Sequence, residues 1–175
     1  YSTYYKYFCD IGLDGFHSDY NGTLSLPAPG QADKYYMIHR PRNLENPPFT
    51  KVCYTVVDMT LDGGKGGVIV KNVVVKDDVN LAYGYHTACK HQNGIDWWII
   101  MCAYNTNKIY AFLLTAQGIS FSHSQVIGTK GPYAIGQATF SPDGSRFVWY
   151  DLVNGVHLYD FNRSTGMLSD HKEMV

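Results

Sequence analysis

Apolar and polar positions in this chain alternate over short runs, each closed by a cluster of Gly, Pro, Asn, Asp or Ser, and no stretch keeps the apolar spacing of an amphipathic helix. The pattern predicts strands joined by tight turns. It is clearest in Phe140-Ser141-Pro142-Asp143-Gly144-Ser145-Arg146-Phe147-Val148-Trp149-Tyr150-Asp151, followed by Gly155-Val156-His157-Leu158-Tyr159-Asp160-Phe161. Proline sets φ at the first central turn position, aspartate tolerates the second, and glycine supplies the positive φ where the next strand begins. Two strands and a Ser-Pro-Asp-Gly turn are therefore expected, with a third strand after Asn154-Gly155.

The same order recurs. Aromatic strands are expected at Tyr35-Tyr36-Met37-Ile38-His39, Trp97-Trp98-Ile99-Ile100-Met101 and Phe147-Val148-Trp149-Tyr150, followed by strands at Val52–Val57, Ile109–Leu114 and Val156–Phe161. Strands led by glycine start at Gly67, Gly118 and Gly166 (118 minus 67 is 51; 166 minus 118 is 48), so the period is about fifty residues, that of a four-stranded propeller blade. Innermost strands are expected at Gly22–Leu26, Ala82–Ala88 and Ile135–Phe140, where the small residues Gly84, Ala88, Gly136 and Ala138 suit crowding round an axis. The expectation is an all-β chain of about three four-stranded antiparallel β-propeller blades (about 23–76, 82–128 and 133–175), with 1–22 an N-terminal segment able to contribute to a preceding blade. Propellers close with about four to eight blades. Three blades thus imply an incomplete or larger ring, completed by a longer chain or a partner.

Composition fits a globular chain of 175 residues: 45% hydrophobic and 17% charged, with fifteen Tyr, eight Phe and three Trp favouring strands. Fourteen basic residues against fifteen acidic leave a net charge of -1, which argues against nucleic acid as a partner. The longest apolar runs, Trp97–Met101 and Ala111–Leu114, fall far short of the roughly 20 residues of a membrane-spanning helix. The sequence opens on Tyr1 without a charged-then-apolar leader, so any export signal is expected to lie outside it or to have been removed.

Four cysteines, Cys9, Cys53, Cys89 and Cys102, contain no Cys-x-x-Cys pair. A hairpin turn at Asn93-Gly94 sets Cys89 opposite Trp98 and Cys102 opposite Tyr85, too far apart for a disulfide. Buried thiols are expected, with a Cys9–Cys53 bridge as the less favoured alternative.

Candidate chemistry is sparse. His86, His91 and Asp96 surround one hairpin, but strands and turn spread them, so they are expected to fix the turn or its packing; His17, His39, His123, His157 and His171 are dispersed and treated alike. Asp10, Asp14 and Asp19, and Asp58, Asp62, Asp77 and Asp78, lack the spacing of a calcium loop. Asp62-Gly63-Gly64-Lys65-Gly66-Gly67 lacks the Gly-Lys-Ser/Thr ending and following helix of a phosphate cradle. Ser122 and His123, adjacent on a strand, are expected to face opposite sides. Asn21-Gly22-Thr23 and Asn162-Arg163-Ser164 match the glycosylation acceptor pattern. Trp97 and Trp98 are expected in the core, the rival being an aromatic platform for sugar or peptide. No catalytic, cofactor-binding or metal-ligating residue and no cofactor are assigned. Trp97, Trp98, Trp149, Phe140, Phe147, Tyr110 and Phe161 are expected to stabilise the blades.

The chain resembles the WD-repeat-like or Tol-B-like propellers of secreted and cell-surface proteins of the Bacteroidota type, associated with type IX secretion. The phrases that carry the likeness include Leu24–Gly30, Tyr54–Met59, His86–Ile100, Leu113–Ile119, Phe140–Ser145 and Leu158–Arg163. The resemblance implies an extracellular or cell-surface location without shared catalytic residues, although residues 1–175 carry no sorting-domain pattern. The function expected is a non-enzymatic scaffold or protein-interaction propeller, its partner a protein, itself, or the remaining blades. The alternatives are a carbohydrate-binding module with a glycan as ligand, or a fragment of a propeller-containing hydrolase.

Overall fold

The computed structural model describes residues 22–41, 50–133 and 135–174. Among these residues twelve strands form three four-stranded antiparallel sheets: β1 (Thr23–Pro27), β2 (Lys34–His39), β3 (Val52–Asp58) and β4 (Gly67–Lys76); β5 (Leu81–Lys90), β6 (Trp97–Ala103), β7 (Lys108–Thr115) and β8 (Gly118–Val126); β9 (Gly136–Phe140), β10 (Arg146–Asp151), β11 (Gly155–Asn162) and β12 (Met167–Met174). Each sheet is a meander in chain order. The only helix among the described residues is a 3-10 turn at Asp62–Gly64. Among the described residues no helix is long and apolar enough to cross a membrane. The chain divides into two compact units, residues 1–80 with the first sheet and 81–175 with the other two.

Local chemistry accounts for the turns. In the β9–β10 hairpin the Ser141 amide donates to the Arg146 carbonyl at 3.0 Å and Gly144 to Ser141 at 2.8 Å, with Gly144 at φ 72°. The Asp143 carboxylate accepts from the Ser145 amide and hydroxyl at 3.0 and 2.7 Å. Between β5 and β6 the pairing sets Cys89 opposite Trp98 and His86 opposite Met101, the expected register. It breaks beyond His86, where Gly84 sits at φ 76° and Leu81 pairs with Ala103, so the expected Tyr85–Cys102 pairing is replaced by a bulge.

The outer strand of every sheet carries a register shift near its middle: opposite Thr55 in the first, between Ala111 and Phe112 in the second, and opposite Tyr159 in the third. Asn72 (φ 55°) and Asp170 (φ 55°) occupy the shift in β4 and β12, using the tolerance of Asn and Asp for the left-handed region. In β8 the extra residue is Ser122. Its hydroxyl lies 3.0 Å from His123 Nδ1, which corrects the expectation that these neighbours face opposite sides: the bulge interrupts strict alternation.

Within the second unit the two sheets share one core. Tyr85, Trp98, Ile100 and Cys102 of one meet Ala138, Phe147, Trp149, Tyr159, Phe161 and Leu168 of the other. Such rings each contribute roughly 2–3 kcal/mol by leaving water. The first strands, β5 and β9, lie against each other. A Cβ at Gly136 would stand 1.9 Å from the Tyr150 carbonyl oxygen and 2.2 Å from the Tyr85 hydroxyl, so only glycine fits. The central strand β6 is buried on both faces, with Ile99 and Met101 as covered as Trp98 and Ile100. Tyr110, Phe147, Trp149 and Phe161 are buried as well, whereas Phe140 and Trp97 are only half-buried. Cys53, Cys89 and Cys102 are buried, and burial pushes the Cys89 thiol up to about 12; Cys9 lies outside the described residues.

Candidate functional site

Two openings lie at opposite ends of the strands in the second unit. The first, a cleft of about 480 Å³, is bounded by Lys90 and Trp97 on one sheet and by Ser141, Asp143 and Arg163 on the other. Its polar groups serve the fold. Arg163 donates from Nε to the Lys90 carbonyl at 2.8 Å, and from its terminal nitrogens to the Asp143 and His91 carbonyls at 3.0 and 3.3 Å. Its own carbonyl accepts from Trp98 Nε1 at 2.9 Å and from the Gln92 amide at 3.0 Å. One residue thereby fastens the β11–β12 turn to the β5–β6 hairpin. Lys90 donates to the Ile95 carbonyl at 2.8 Å with its ammonium 3.9 Å from the Trp97 ring centroid, so one face of that ring is covered. The Ser141 hydroxyl and the Ser145 amide and hydroxyl hold the Asp143 carboxyl down to about 2. This end is an interlocked clasp.

The second opening, a cavity of about 430 Å³, is built from three connections: the β6–β7 turn (Asn105, Thr106, Asn107), the segment after β8 (Thr129, Lys130, Gly131) and Asn154 of the β10–β11 turn. Close backbone approach shapes it, since a Cβ at Gly131 would fall 1.6 Å from the Thr106 carbonyl oxygen. The buried Asp151 carboxylate accepts from the Tyr133 and Val153 amides at 2.9 and 2.8 Å. Asn107 Nδ2 donates to the Gly128 carbonyl at 2.7 Å, and Asn154 Nδ2 to the Gly131 carbonyl at 3.0 Å. Their side-chain oxygens accept no hydrogen bond from the described residues. Beside the cavity the Tyr104 and Tyr133 rings stack, centroids 5.8 Å apart and planes 20° apart, with Tyr133 52% exposed.

A histidine pair backs this end. His157, fully buried and stacked on Trp149 at 3.9 Å, has Nε2 3.0 Å from the Asn154 carbonyl and Nδ1 2.8 Å from His171 Nε2. A carbonyl only accepts, so the His157 proton sits on Nε2 and His171 donates to Nδ1. Burial, ahead of the neighbouring charges, lowers the His157 pKa. Glu173 accepts from Lys130 at 3.0 Å and from the Thr129 hydroxyl at 2.9 Å, bonds that lower its pKa and pair off the lysine charge at the rim.

The residues singled out in the sequence do not converge. His86 lies buried on β5 while His91 and Asp96 sit in the hairpin, where the His91 ring accepts from the Asn93 amide at 3.1 Å and Asn93 Nδ2 donates to Asp96 at 2.7 Å. Among the described residues no group of three or more His, Cys, Asp or Glu could hold a metal ion. Asp58 binds the Thr60 hydroxyl at 2.6 Å, and Asp62–Gly64 forms the 3-10 turn leading into β4. Asn162 is exposed and caps its turn by accepting from the Ser164 amide at 2.9 Å. Asp10, Asp14, Asp19, His17 and Asn21 lie outside the described residues. His39, by contrast, is buried with Nε2 3.3 Å from the Thr55 hydroxyl, and burial lowers its pKa to about 4. The Asn105–Tyr133–Asn154 grouping has no sequence signature, because three separate connections supply it.

No protein-family model matches the chain, and no curated protein matches it. Its fold is similar to the crystal structure of a protein assigned as an exo-beta-1,3-galactanase from Bifidobacterium bifidum s17, with a TM-score of 0.52 and 15% identity over 93% of this chain and 55% of that one. The chain therefore spans about half the length of that structure, and at this identity the likeness concerns fold alone.

Proposed function

We propose that the three sheets are successive blades of a β-propeller larger than this chain, and that the chain serves as a non-enzymatic binding scaffold at the cell surface or outside the cell. The observation that carries this reading is the repetition: three meanders in chain order, each with an outer strand bulged near its middle. Within the second unit, β5 lies against β9 and the two sheets share one core, as adjacent blades of a propeller do. Turns held on such rigid sheets make suitable recognition surfaces for a protein, a second copy or further blades. The exported setting rests on the phrases of residues 24–163 that resemble secreted propellers.

An experimental structure of the protein tests the architecture: sheets radiating from a common axis with β5 and β9 innermost are expected, and a sandwich without a hub overturns it. A second reading, a fragment of a glycoside hydrolase, is favoured by the fold likeness to the protein assigned as a galactanase. Incubation with nitrophenyl galactosides, glucosides and xylosides and with a beta-1,3-galactan separates the two. No hydrolysis above the buffer rate is expected of a scaffold, whereas turnover favours the hydrolase.

A further inference from the structure

The cavity at the Asn154 end differs from the clasp in having polar groups to spare. The side-chain oxygens of Asn107 and Asn154 receive no hydrogen bond, the Asn105 side chain makes none, and the Thr106 hydroxyl accepts from the Lys108 amide at 3.2 Å while keeping its own proton to donate, all among the described residues. These are uncharged donors and acceptors in nearly equal measure. The lysine at the rim is paired with Glu173, so no net charge is left to select an anion. Tyr133, two residues beyond Gly131 of the lining, stacks on Tyr104 and leaves about half of its surface to solvent. Hydroxyl groups that both donate and accept, carried on a ring with an apolar C–H face, complement this combination.

We propose that the cavity is a binding site for a neutral carbohydrate, with Tyr133 stacking on a sugar ring and Asn105, Asn107 and Asn154 hydrogen-bonding its hydroxyls. The proposal rests on the binding-scaffold reading above and names the ligand class for one of its surfaces. The volume of about 430 Å³ suits one or two sugar units. An aromatic platform on a rigid backbone loses little freedom on binding.

The test is NMR titration of the 15N-labelled protein with neutral trisaccharides of glucose, galactose, mannose and xylose, a sulfated trisaccharide, and an unrelated tripeptide. Amide shifts centred on Asn105–Asn107, Lys130–Tyr133 and Asn154 are expected with at least one neutral sugar. Tyr133→Ala should weaken that binding by about tenfold or more while Tyr133→Trp retains it, with the melting temperature lowered by no more than a few degrees in Tyr133→Ala for loss of the stack on Tyr104. No shift with any neutral sugar overturns the ligand class and leaves the scaffold reading standing. Shifts that persist in Tyr133→Ala, or a preference for the sulfated sugar, overturn the site as described. Cleavage of the sugar during titration instead overturns the non-enzymatic reading while the location of the site survives.

Discussion

The two ends of the second unit are built from a similar stock of residues, Asn, hydroxyl side chains, His and a cation, and differ in whether those residues answer one another. At the Arg163 end the guanidinium, the Trp98 indole, the Asn93 amide and the Asp143 carboxylate are all engaged with partners inside the chain. At the Asn154 end two amide oxygens and the whole Asn105 amide are left over. A polar surface whose bonds are internally closed holds sheets together, and one with unmatched groups can bind something else. Substitutions should therefore act mainly on stability at the first end and can act on binding alone at the second.

The largest effect falls on the frame of the cavity. Gly131→Ala puts a methyl group where the Thr106 carbonyl already stands, and is expected to cost about 4 kcal/mol, read from denaturant unfolding, with the Asn154 end losing hydrogen-exchange protection first. Arg163→Ala comes next. It strands three carbonyls and should destabilise by about 3 kcal/mol. Arg163→Lys should recover little of this, because a single ammonium cannot span the Lys90, His91 and Asp143 carbonyls. Recovery of most of the loss by lysine would show that charge rather than the forked geometry closes the clasp.

What could be read from the sequence follows the same divide. The Ser141–Ser145 and Asn93–Gly94 turns were legible because their chemistry is local: proline, aspartate and glycine act on their own backbone. The glycines that open the outer strands gave the spacing of the sheets in the same way. Arg163 was hidden inside an apparent glycosylation triplet, since its five partners come from residues up to 73 positions away. His157 and His171 looked dispersed, although the bulge at Asp170 brings the second ring beside the first. The cavity was least legible of all: Asn105, Lys130 and Asn154 meet only once two hairpins and the segment from β8 to β9 are folded.

Acid should act unequally on the two ends. His157 has a folded-state pKa below the ordinary 6.5, so the unfolded chain binds the proton first. Its contribution to stability is complete above about pH 6.5 and is lost as pH falls through the lowered folded value. Hydrogen exchange at Asn154–Val156 is expected to quicken as pH falls below 6.5, relative to the intrinsic rate, more than at Gln92. His157→Gln, which cannot take up the proton, should flatten that difference, and an equal response at both ends would show that the histidine pair does not set it.

The smallest effect on stability is expected where the effect on binding is cleanest. Asn105 sits at φ 53°, in the left-handed region, which glycine adopts without strain at the cost of a more flexible unfolded chain. The two terms oppose each other, so Asn105→Gly should change unfolding free energy by no more than about 0.5 kcal/mol. Asn105→Ala keeps a Cβ without the local bonding that eases this conformation, and should cost about 1–2 kcal/mol. Both remove the same unmatched amide from the cavity. A sugar bound there should lose several-fold affinity equally in the two variants despite their different stabilities; if affinity instead tracks stability, Asn105 acts by shaping the turn and the two ends differ less than their hydrogen bonds imply.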